Sequence, residues 1–271
     1  MKTIVKFKPI TIRCLEKYVS QKKVIVQNAQ QPLGTYLEQL YKVHREHAIT
    51  GTMFMISTIF QDIVFKHYNF FPMVFLYGNA GTGKDELSYC LRSFFGFPQT
   101  PNPVGSNLST SKSAVRVLAE FKNMLIQFSE YTPGNEKNDE TFKEFWNKNG
   151  YKRGTIAQRY STEEVPVDCS ILFTSNQFPT NLALITRLLT EQMMKNKFTI
   201  EEGKEFEKLM DMTKPGISSY TVEILHLRGI VEESFKEKYQ TFIQGLKQMT
   251  DFADLEGRII QNIAVMGAFY D

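Results

Sequence analysis

The stretch from Met73 to Phe95 constrains the fold of this chain more than any other part of the sequence. An apolar run, Met73 to Tyr77, predicts a buried strand, and the residues from Glu86 to Phe95 predict a helix that Lys84 opens. The segment between them is rich in glycine, so its backbone can turn tightly and aim its N–H groups inward. A strand, such a turn and a helix in this order predict an α/β fold with a phosphate-binding loop.

The spacing Gly78-x4-Gly83-Lys84 predicts nucleotide binding. This spacing also occurs by chance, but here the strand before it and the helix after it are both readable. The alternative is a glycine-rich turn with a solvated lysine. We predict that the loop binds ATP through the residues Gly78, Asn79, Ala80, Gly81, Thr82, Gly83, Lys84, Asp85 and Glu86.

One position departs from the usual pattern of such loops, which places Ser or Thr after the lysine as a ligand of Mg²⁺. This chain has Asp85 there. A carboxylate at a helix N-terminus is favourable to the helix dipole and can ligate magnesium, but it also brings negative charge close to the phosphates. The motif therefore predicts binding and leaves hydrolysis open.

Length and composition indicate a globular protein. A chain of 271 residues with 42% hydrophobic content can build one large or two modest domains. The net charge of +3 is too small to indicate a polyanionic partner by itself. The first thirty residues nevertheless hold one acid and seven basic residues, which either contact nucleic acid or form a solvated linker: Lys2, Lys6, Lys8, Arg13, Lys17, Lys22 and Lys23.

The cysteines and histidines indicate neither a disulfide framework nor a zinc site. Cys14, Cys90 and Cys169 are far apart and odd in number, which fits a reducing cytosol. His44 and His47 are a weak ligand pair, since no second pair follows. Without a signal peptide or an apolar stretch of about eighteen residues, we expect a soluble, cytoplasmic protein with no membrane partner.

The periodicity along the chain predicts a P-loop NTPase core with a largely parallel sheet, a small helical segment before it and helices after it. We expect a basic extension or linker at 1–34, a helical segment at 35–70, the ATPase core at 71–190 and a helical region at 191–271. Strands are predicted at Thr3–Ile12, Val24–Gln27, Met124–Phe128 and Ser170–Thr174, with a hairpin at Tyr151–Ser161. Helices are predicted at Ser111–Phe121, around Trp146, and at Ile200–Met212, Tyr220–Met249 and Leu255–Phe269.

Two polar residues follow the predicted strands of the core. Glu130 comes after the strand Met124–Phe128, and Asn176 closes the strand that begins at Ser170. Open α/β sheets bind ligands at the carboxyl ends of their strands. A carboxylate there can orient an attacking water, and an amide can hydrogen-bond a γ-phosphate. The alternatives are a surface glutamate and an asparagine that merely ends a strand.

The order of these motifs resembles the superfamily-three helicases, AAA+-related ring motors of viral, phage and plasmid primase-helicases. The resemblance is continuous from about Phe71 to Leu189 and weakens beyond it. The segments that carry it are Gly83-Lys-Asp-Glu-Leu87, Phe128-Ser-Glu-Tyr131, Thr174-Ser-Asn-Gln-Phe-Pro179 and Ala183-Leu-Ile-Thr-Arg-Leu188.

The resemblance implies an ATP-driven, Mg²⁺-dependent DNA helicase in the replication of a phage, plasmid or integrated mobile element. Such a motor is a homo-oligomer, here expected as a hexameric ring on single-stranded or forked DNA in a bacterial host or phage-infected cell. A primase domain or subunit is a further expected partner. Lys84 would hold phosphates, Glu130 would orient water and Asn176 would sense the γ-phosphate.

Two departures from the family pattern suggest an exchange of metal ligands. Relatives place a hydroxyl after the lysine and an aspartate before the glutamate, whereas this chain has Asp85 and Ser129. If both positions face one Mg²⁺, its oxygen ligands are nearly unchanged. The hypothesis assigns the metal to Asp85, Ser129 and Glu130, and the alternative is coincidental drift.

The family also implies an arginine that acts on the site of the neighbouring subunit. Arg187, expected on the helix after Asn176, is the first candidate, with Arg153 and Arg159 as rivals. Lys152, Arg153 and Arg159 lie where the family inserts a hairpin into the pore of the ring, so they are expected to follow a phosphate backbone without reading bases.

Two other functions remain open from the sequence. The chain could be a non-hydrolysing, nucleotide-binding ring or loader module on DNA, which Asp85 and the lone Glu130 permit. A small nucleotide kinase is a further alternative, although no arginine-rich lid follows the core.

Overall fold

The computed structural model describes residues 25–96, 102–103, 115–116, 118–154, 162–165, 167–195, 197–249 and 255–270. For residues 102–103, 151–154 and 162–165 it describes the backbone alone. The predicted strand Thr3–Ile12 lies outside these residues, as do residues 111–114 and 117 of the predicted helix Ser111–Phe121. Residues 25–27 form no strand, contrary to the prediction for Val24–Gln27.

A parallel sheet forms the centre of the fold, as predicted. Within the described residues it has five strands: β1 (Met73–Tyr77), β2 (Asn102–Pro103), β3 (Leu125–Ser129), β6 (Ser170–Ser175) and β7 (Leu188–Gln192). Their order across the sheet is β2-β3-β6-β1-β7. A separate antiparallel hairpin pairs β4 (Tyr151–Gly154) with β5 (Thr162–Val165).

The three central strands are apolar because both of their faces are covered. Phe75, Phe128 and Phe173 come from three neighbouring strands, and the ring of Phe173 lies 5.9 Å from each of the other two rings. Burial of these rings supplies much of the hydrophobic stabilisation of the sheet. The polar exceptions are Gln127 and Ser129 of β3 and Ser170, Thr174 and Ser175 of β6. Of these, Ser129, Thr174 and Ser175 lie at the carboxyl ends of their strands.

Three helices precede the sheet: α1 (Leu33–His44), α2 (Glu46–Ile59) and α3 (Gln61–Tyr68). The chain turns between the first two at Arg45, whose φ of 52° interrupts the helical pattern predicted from Thr35 to Phe65. No single described helix is long and apolar enough to cross a membrane, and one bent pair, α2 with α3, reaches that length and composition only together.

The remaining described helices are α4 (Lys84–Ser93), α5 (Glu136–Phe145), α6 (Leu182–Ile185), α7 (Ile200–Thr213), α8 (Ser219–Leu225), α9 (Arg228–Gln248) and α10 (Gly257–Gly267). Helix α1 packs on α7, and α10 packs on α2, α9 and β7. The N-terminal and C-terminal helices therefore cover the edge of the sheet together.

Several predicted bounds differ from the structure. The stretch Tyr220–Met249 is two helices, α8 and α9, because the chain turns at His226 and Leu227. The hairpin extends past Ser161 to Val165. The sheet does not end at Ser175, since the short helix α6 leads into β7, an additional parallel strand beside β1.

Candidate nucleotide-binding site

The phosphate loop follows β1, and its glycines are required by the backbone. A Cβ on Gly78, whose φ is 150°, would lie 2.0 Å from the carbonyl oxygen of Met193. Met193 is held there because its N–H donates to the carbonyl of Tyr77 at 2.8 Å. Gly83, with a φ of 86°, is the N-cap of α4 in the left-handed conformation that glycine adopts most easily. The end of β7 thus closes one side of the loop.

Lys84 curls back into the loop that precedes it. Its Nζ donates to the carbonyls of Gly78 at 2.8 Å and Asn79 at 2.7 Å, and to the hydroxyl of Thr82 at 3.3 Å. Burial lowers the pKa of Lys84, because the charged form is poorly solvated there, although Asp85 and Glu86 oppose this effect. An ammonium group held among carbonyl oxygens can exchange them for the oxygens of a phosphate.

The shape and chemistry of the loop allow it to hold an anionic group such as a phosphate. Its tip, Asn79 to Gly81, is exposed, and a Cβ on Gly81 would meet no atom within 4 Å. The first turn of α4 adds N–H groups without helical partners and the positive end of the helix dipole. Anions are stabilised at such a position.

Asp85 joins the start of α4 to the two neighbouring strands. Its Oδ1 accepts hydrogen bonds from Gln127 Nε2 at 3.0 Å and from Thr174 Oγ1 at 3.1 Å. Gln127 and Thr174 are buried, with 0% and 3% of their surface exposed, whereas Asp85 is exposed. Neither Gln127 nor Thr174 was predicted from the sequence as a site residue. Gln127 could have been identified from its polar amide side chain, which stands inside the otherwise apolar predicted strand Met124–Phe128.

Ser129 lies two residues after Gln127 on β3, half-buried. Alternate residues of a strand share a face, so Ser129 lies on the face that Asp85 contacts. The next residue, Glu130, is exposed and has a φ of 60°. A non-glycine residue in this region costs on the order of 1–3 kcal/mol, and such strain occurs often at functional sites.

Two contacts fix the backbone around Glu130. The hydroxyl of the buried Tyr131 donates to Asp139 Oδ1 at 2.8 Å, and Ser175 Oγ donates to the carbonyl of Tyr131 at 2.8 Å. Burial and the bond to Asp139 raise the pKa of Tyr131. Because Ser175 ends β6, these bonds also join the loops after β3 and β6.

Asn176 is exposed directly after Ser175. The structure therefore brings Lys84, Glu130 and Asn176 to the carboxyl edge of three adjacent strands. Asp85 and Ser129 lie at the same edge. Within the described residues no three His, Cys, Asp or Glu side chains form a metal-binding group. A divalent cation would need hydroxyl and phosphate oxygens in addition to carboxylates.

Arg187 lies elsewhere, and its expected position on a helix is wrong. Helix α6 ends at Ile185, and Arg187 occupies the turn before β7. Its carbonyl accepts from Met73 N–H at 3.3 Å, which places it at the amino end of β1, opposite the phosphate loop. The guanidinium donates to the carbonyl of Ala183 and lies 5.8 Å from the ring of Trp146. Burial and the neighbouring Arg258 lower its pKa.

The basic hairpin residues are only partly described. Lys152 and Arg153 lie on β4, where the backbone register places them opposite Glu164 and Glu163 of β5. Arg159 lies outside the described residues.

Two histidines of the N-terminal helices lie next to the phosphate loop or to the strand β7 beside it. Nδ1 of His47 lies 2.8 Å from Glu191 Oε2, and Thr50 donates to Glu191 Oε1 at 2.7 Å. The hydrogen bond to Glu191 raises the pKa of His47. Burial lowers the pKa of His44, which packs against Gly83, to about 4, so this imidazole is neutral at pH 7. Among the described residues, neither histidine belongs to a group of three potential metal ligands.

A solved helicase structure has a similar fold. The structure of the active helicase Cch of SCCmec type IV matches with a TM-score of 0.61 and 16% sequence identity, over 89% of this chain and 46% of that one. The chain therefore shares the fold of the part of Cch that it covers. The apo C-terminal region of NrS-1 matches with a TM-score of 0.41 and 12% identity over 90% of this chain and 64% of that one. The structure of the JCV helicase matches with a TM-score of 0.37 and 11% identity over 79% of this chain and 64% of that one.

The chain spans about half the length of the Cch helicase, at 46%. No protein-family model matches the sequence, and no curated protein matches it. At these identities the similarity concerns the fold alone.

Proposed function

We propose that this chain is an ATP-driven helicase motor that moves on DNA. The observation that supports this proposal most strongly is the single sheet edge at which Lys84, Asp85, Glu130 and Asn176 meet within a helicase fold. A phosphate loop alone binds nucleotide, whereas hydrolysis also needs a carboxylate at a neighbouring strand end. Glu130 supplies that carboxylate.

ATP binds with its phosphates against the loop from Gly78 to Gly83. Lys84 releases the carbonyls of Gly78 and Asn79 and donates to phosphate oxygens instead. The buried ammonium gains a charged acceptor in place of neutral ones, and such charge-assisted bonds are stronger.

Asp85 and Ser129 would hold Mg²⁺, directly or through water, with Glu130 beside them. When bound, the ion would neutralise part of the charge on the phosphates. The contact of Asp85 with β3 supports this assignment, because it places the carboxylate on the face of the strand that Ser129 shares.

Glu130 orients the water that attacks the γ-phosphorus. The new bond forms to the water oxygen, the bond to the β–γ bridging oxygen breaks, and ADP and phosphate leave. The water proton passes to Glu130 or to solvent. Asn176, on the neighbouring strand end, donates from its amide to the γ-phosphate. The left-handed backbone of Glu130 keeps the carboxylate out of the apolar core and exposed at this edge.

Assembled subunits complete the site, and we propose a hexameric ring. Arg187 acts in the site of the neighbouring subunit once it exchanges the carbonyl of Ala183 for a phosphate oxygen. Arg153 and Arg159 are the other arginines proposed for this role. The position of Arg187 far from its own phosphate loop fits action on a neighbour, because it could not reach the loop of its own chain.

Single-stranded or forked DNA contacts the hairpin β4–β5. Lys152, Arg153 and Arg159 bind its phosphates with little preference for sequence and strong dependence on salt. We place this motor in the replication of a phage, plasmid or integrated element, with a primase domain or subunit as a further partner. We also propose the division of the chain into four regions that end at residues 34, 70, 190 and 271.

A non-hydrolysing nucleotide-binding module is the second candidate. It is favoured by Asp85, which places a negative charge beside the phosphates at the position where a hydroxyl is usual. Such a module would bind ATP to stabilise a ring on DNA without turnover.

ATP turnover with and without single-stranded DNA tests the proposal. We expect turnover that DNA raises by about tenfold and that is lost in Lys84→Ala, since phosphate-site groups contribute orders of magnitude to phosphoryl transfer. ATP binding without turnover under both conditions would favour the module. Stimulation should decline steeply as salt rises, because phosphate contacts release counterions.

A further inference from the structure

We propose that Gln127 and Thr174 are positioning residues that hold the Asp85 carboxylate for a divalent cation. The inference rests on the proposed nucleotide site and assigns to it two residues that its motifs do not include. They lie on two different strands, β3 and β6, and both contact Asp85 at the start of α4.

The three side chains form a closed triangle of hydrogen bonds. Gln127 Nε2 donates to Asp85 Oδ1 at 3.0 Å and to Thr174 Oγ1 at 3.0 Å. The Thr174 hydroxyl in turn donates to the same Asp85 Oδ1 at 3.1 Å. Among the described contacts of Asp85, none involves Oδ2, so both neutral donors hold one oxygen and leave the other for a ligand.

Packing alone does not account for this arrangement. Gln127 and Thr174 are almost fully buried in strands whose other central residues are apolar, and a buried polar group costs free energy unless it is bonded. Asp85 is exposed and could be solvated by water without them. Each of the two buried residues nevertheless donates one hydrogen bond to Asp85. The triangle therefore restricts the conformation of an otherwise solvated side chain.

Restricting the conformation of the Asp85 side chain matters because phosphate loops usually have a hydroxyl residue at this position, after the lysine. An aspartate has two side-chain torsions and a full negative charge, so an unrestrained carboxylate can turn toward the phosphates and repel them. Fixing Oδ1 against β3 and β6 keeps the charge at the edge that Ser129 shares. Partners of this kind commonly change metal affinity by about 10- to 100-fold when they are removed.

The test measures binding of a fluorescent ATP analogue while Mg²⁺ is titrated, and it needs no turnover. In Thr174→Val, the Mg²⁺ concentration at half-saturation should rise about tenfold. Gln127→Met should give the same shift, and Thr174→Ser, which keeps the hydroxyl, should behave as the unmodified chain. Analogue affinity without Mg²⁺ should stay within about twofold in all three, since no loop residue changes.

A second comparison separates positioning from general structural damage. In an Asp85→Ser background, Thr174→Val should have no further effect on the Mg²⁺ requirement, because the group it positions is gone. An equal effect in both backgrounds, or no effect of Thr174→Val on the unmodified chain, would overturn the inference. Should Thr174→Val fail to fold, Gln127→Met supplies the same comparison.

Lys84→Ala separates this inference from the proposed function. If Lys84→Ala abolishes analogue binding while Thr174→Val leaves the Mg²⁺ requirement unchanged, the nucleotide site stands and the positioning role is wrong. If Lys84→Ala binds the analogue as the unmodified chain does, the nucleotide site itself is wrong.

Discussion

At the scale of single residues, the unusual feature is the placement of the proposed metal-binding oxygens beside the phosphate loop. Asp85 accepts a hydrogen bond from Gln127 of β3, and Ser129 lies two residues further on the same face of that strand. This geometry makes the exchange of hydroxyl and carboxylate between positions 85 and 129 physically reasonable, because both side chains face one edge. The exchange itself stays a prediction.

The exchange is tested by reversing it. Asp85→Ser and Ser129→Asp should each lower ATP turnover by about 100-fold, since each leaves Mg²⁺ with an unbalanced set of ligands. The double variant should recover most of the activity. Steady-state ATP hydrolysis at saturating Mg²⁺ measures this recovery. Two inactive single variants and an equally inactive double variant would count against the exchange.

At the scale of elements, β7 shapes the phosphate loop from the side. The strand runs parallel to β1, and at its end the carbonyl of Met193 closes on Gly78. On its other side, Glu191 is bonded to His47 and Thr50 of α2. The N-terminal helices and the loop are therefore joined through one strand.

Replacing two glycines of the loop tests the close contact between Gly78 and the end of β7. Gly78 lies against the carbonyl of Met193, whereas Gly81 has no atom near its Cα that a Cβ would meet. Gly78→Ala and Gly81→Ala both place a side chain at positive φ, with values of 150° and 78°. Only at Gly78 does the new Cβ meet backbone, 2.0 Å from Met193 O. We expect Gly81→Ala to cost about 1 kcal/mol of unfolding free energy and Gly78→Ala at least about 2 kcal/mol more. Urea denaturation measures the free energy of unfolding of both variants. Equal losses of stability in the two variants would contradict the close contact between Gly78 and β7.

The strands that could be predicted from the sequence are those buried on both faces. The predicted strand Met73–Tyr77 has the same bounds as β1, and the other two core strands shift by one residue or less at either end. Strand β7 was missed because it lies at the sheet edge, and of its five residues Leu188 alone is buried. Its mixed residues, Leu-Leu-Thr-Glu-Gln, give no clear period.

The candidate site was predictable only as far as local motifs extend. Lys84, Glu130 and Asn176 could be found because each follows or opens a readable element. The contact between Gln127 and Thr174 joins residues 47 positions apart, so it depends on which strands become neighbours. The turn at Arg45 likewise depends on how α1 and α2 pack, since arginine has no preference for positive φ.

At the scale of the whole molecule, the fold is a P-loop core enclosed by helices from both ends of the sequence. The buried side chains form one contiguous core. Trp146 Nε1 donates to Asn262 Oδ1 at 3.0 Å, and Asn262 Nδ2 donates to the carbonyl of Thr186 at 3.1 Å. The last helix is thus joined to the turn that holds Arg187. A change in that helix could alter the arginine proposed to act on a neighbouring subunit.

The central claim is that the loop from Gly78 to Lys84 binds the phosphates of ATP. Isothermal titration of ATP with Mg²⁺ into the unmodified chain and into Lys84→Ala tests it most directly. We predict that the alanine variant, which loses the ammonium but stays folded, binds ATP at least about 100-fold more weakly. An unchanged affinity in a folded Lys84→Ala variant would contradict the account.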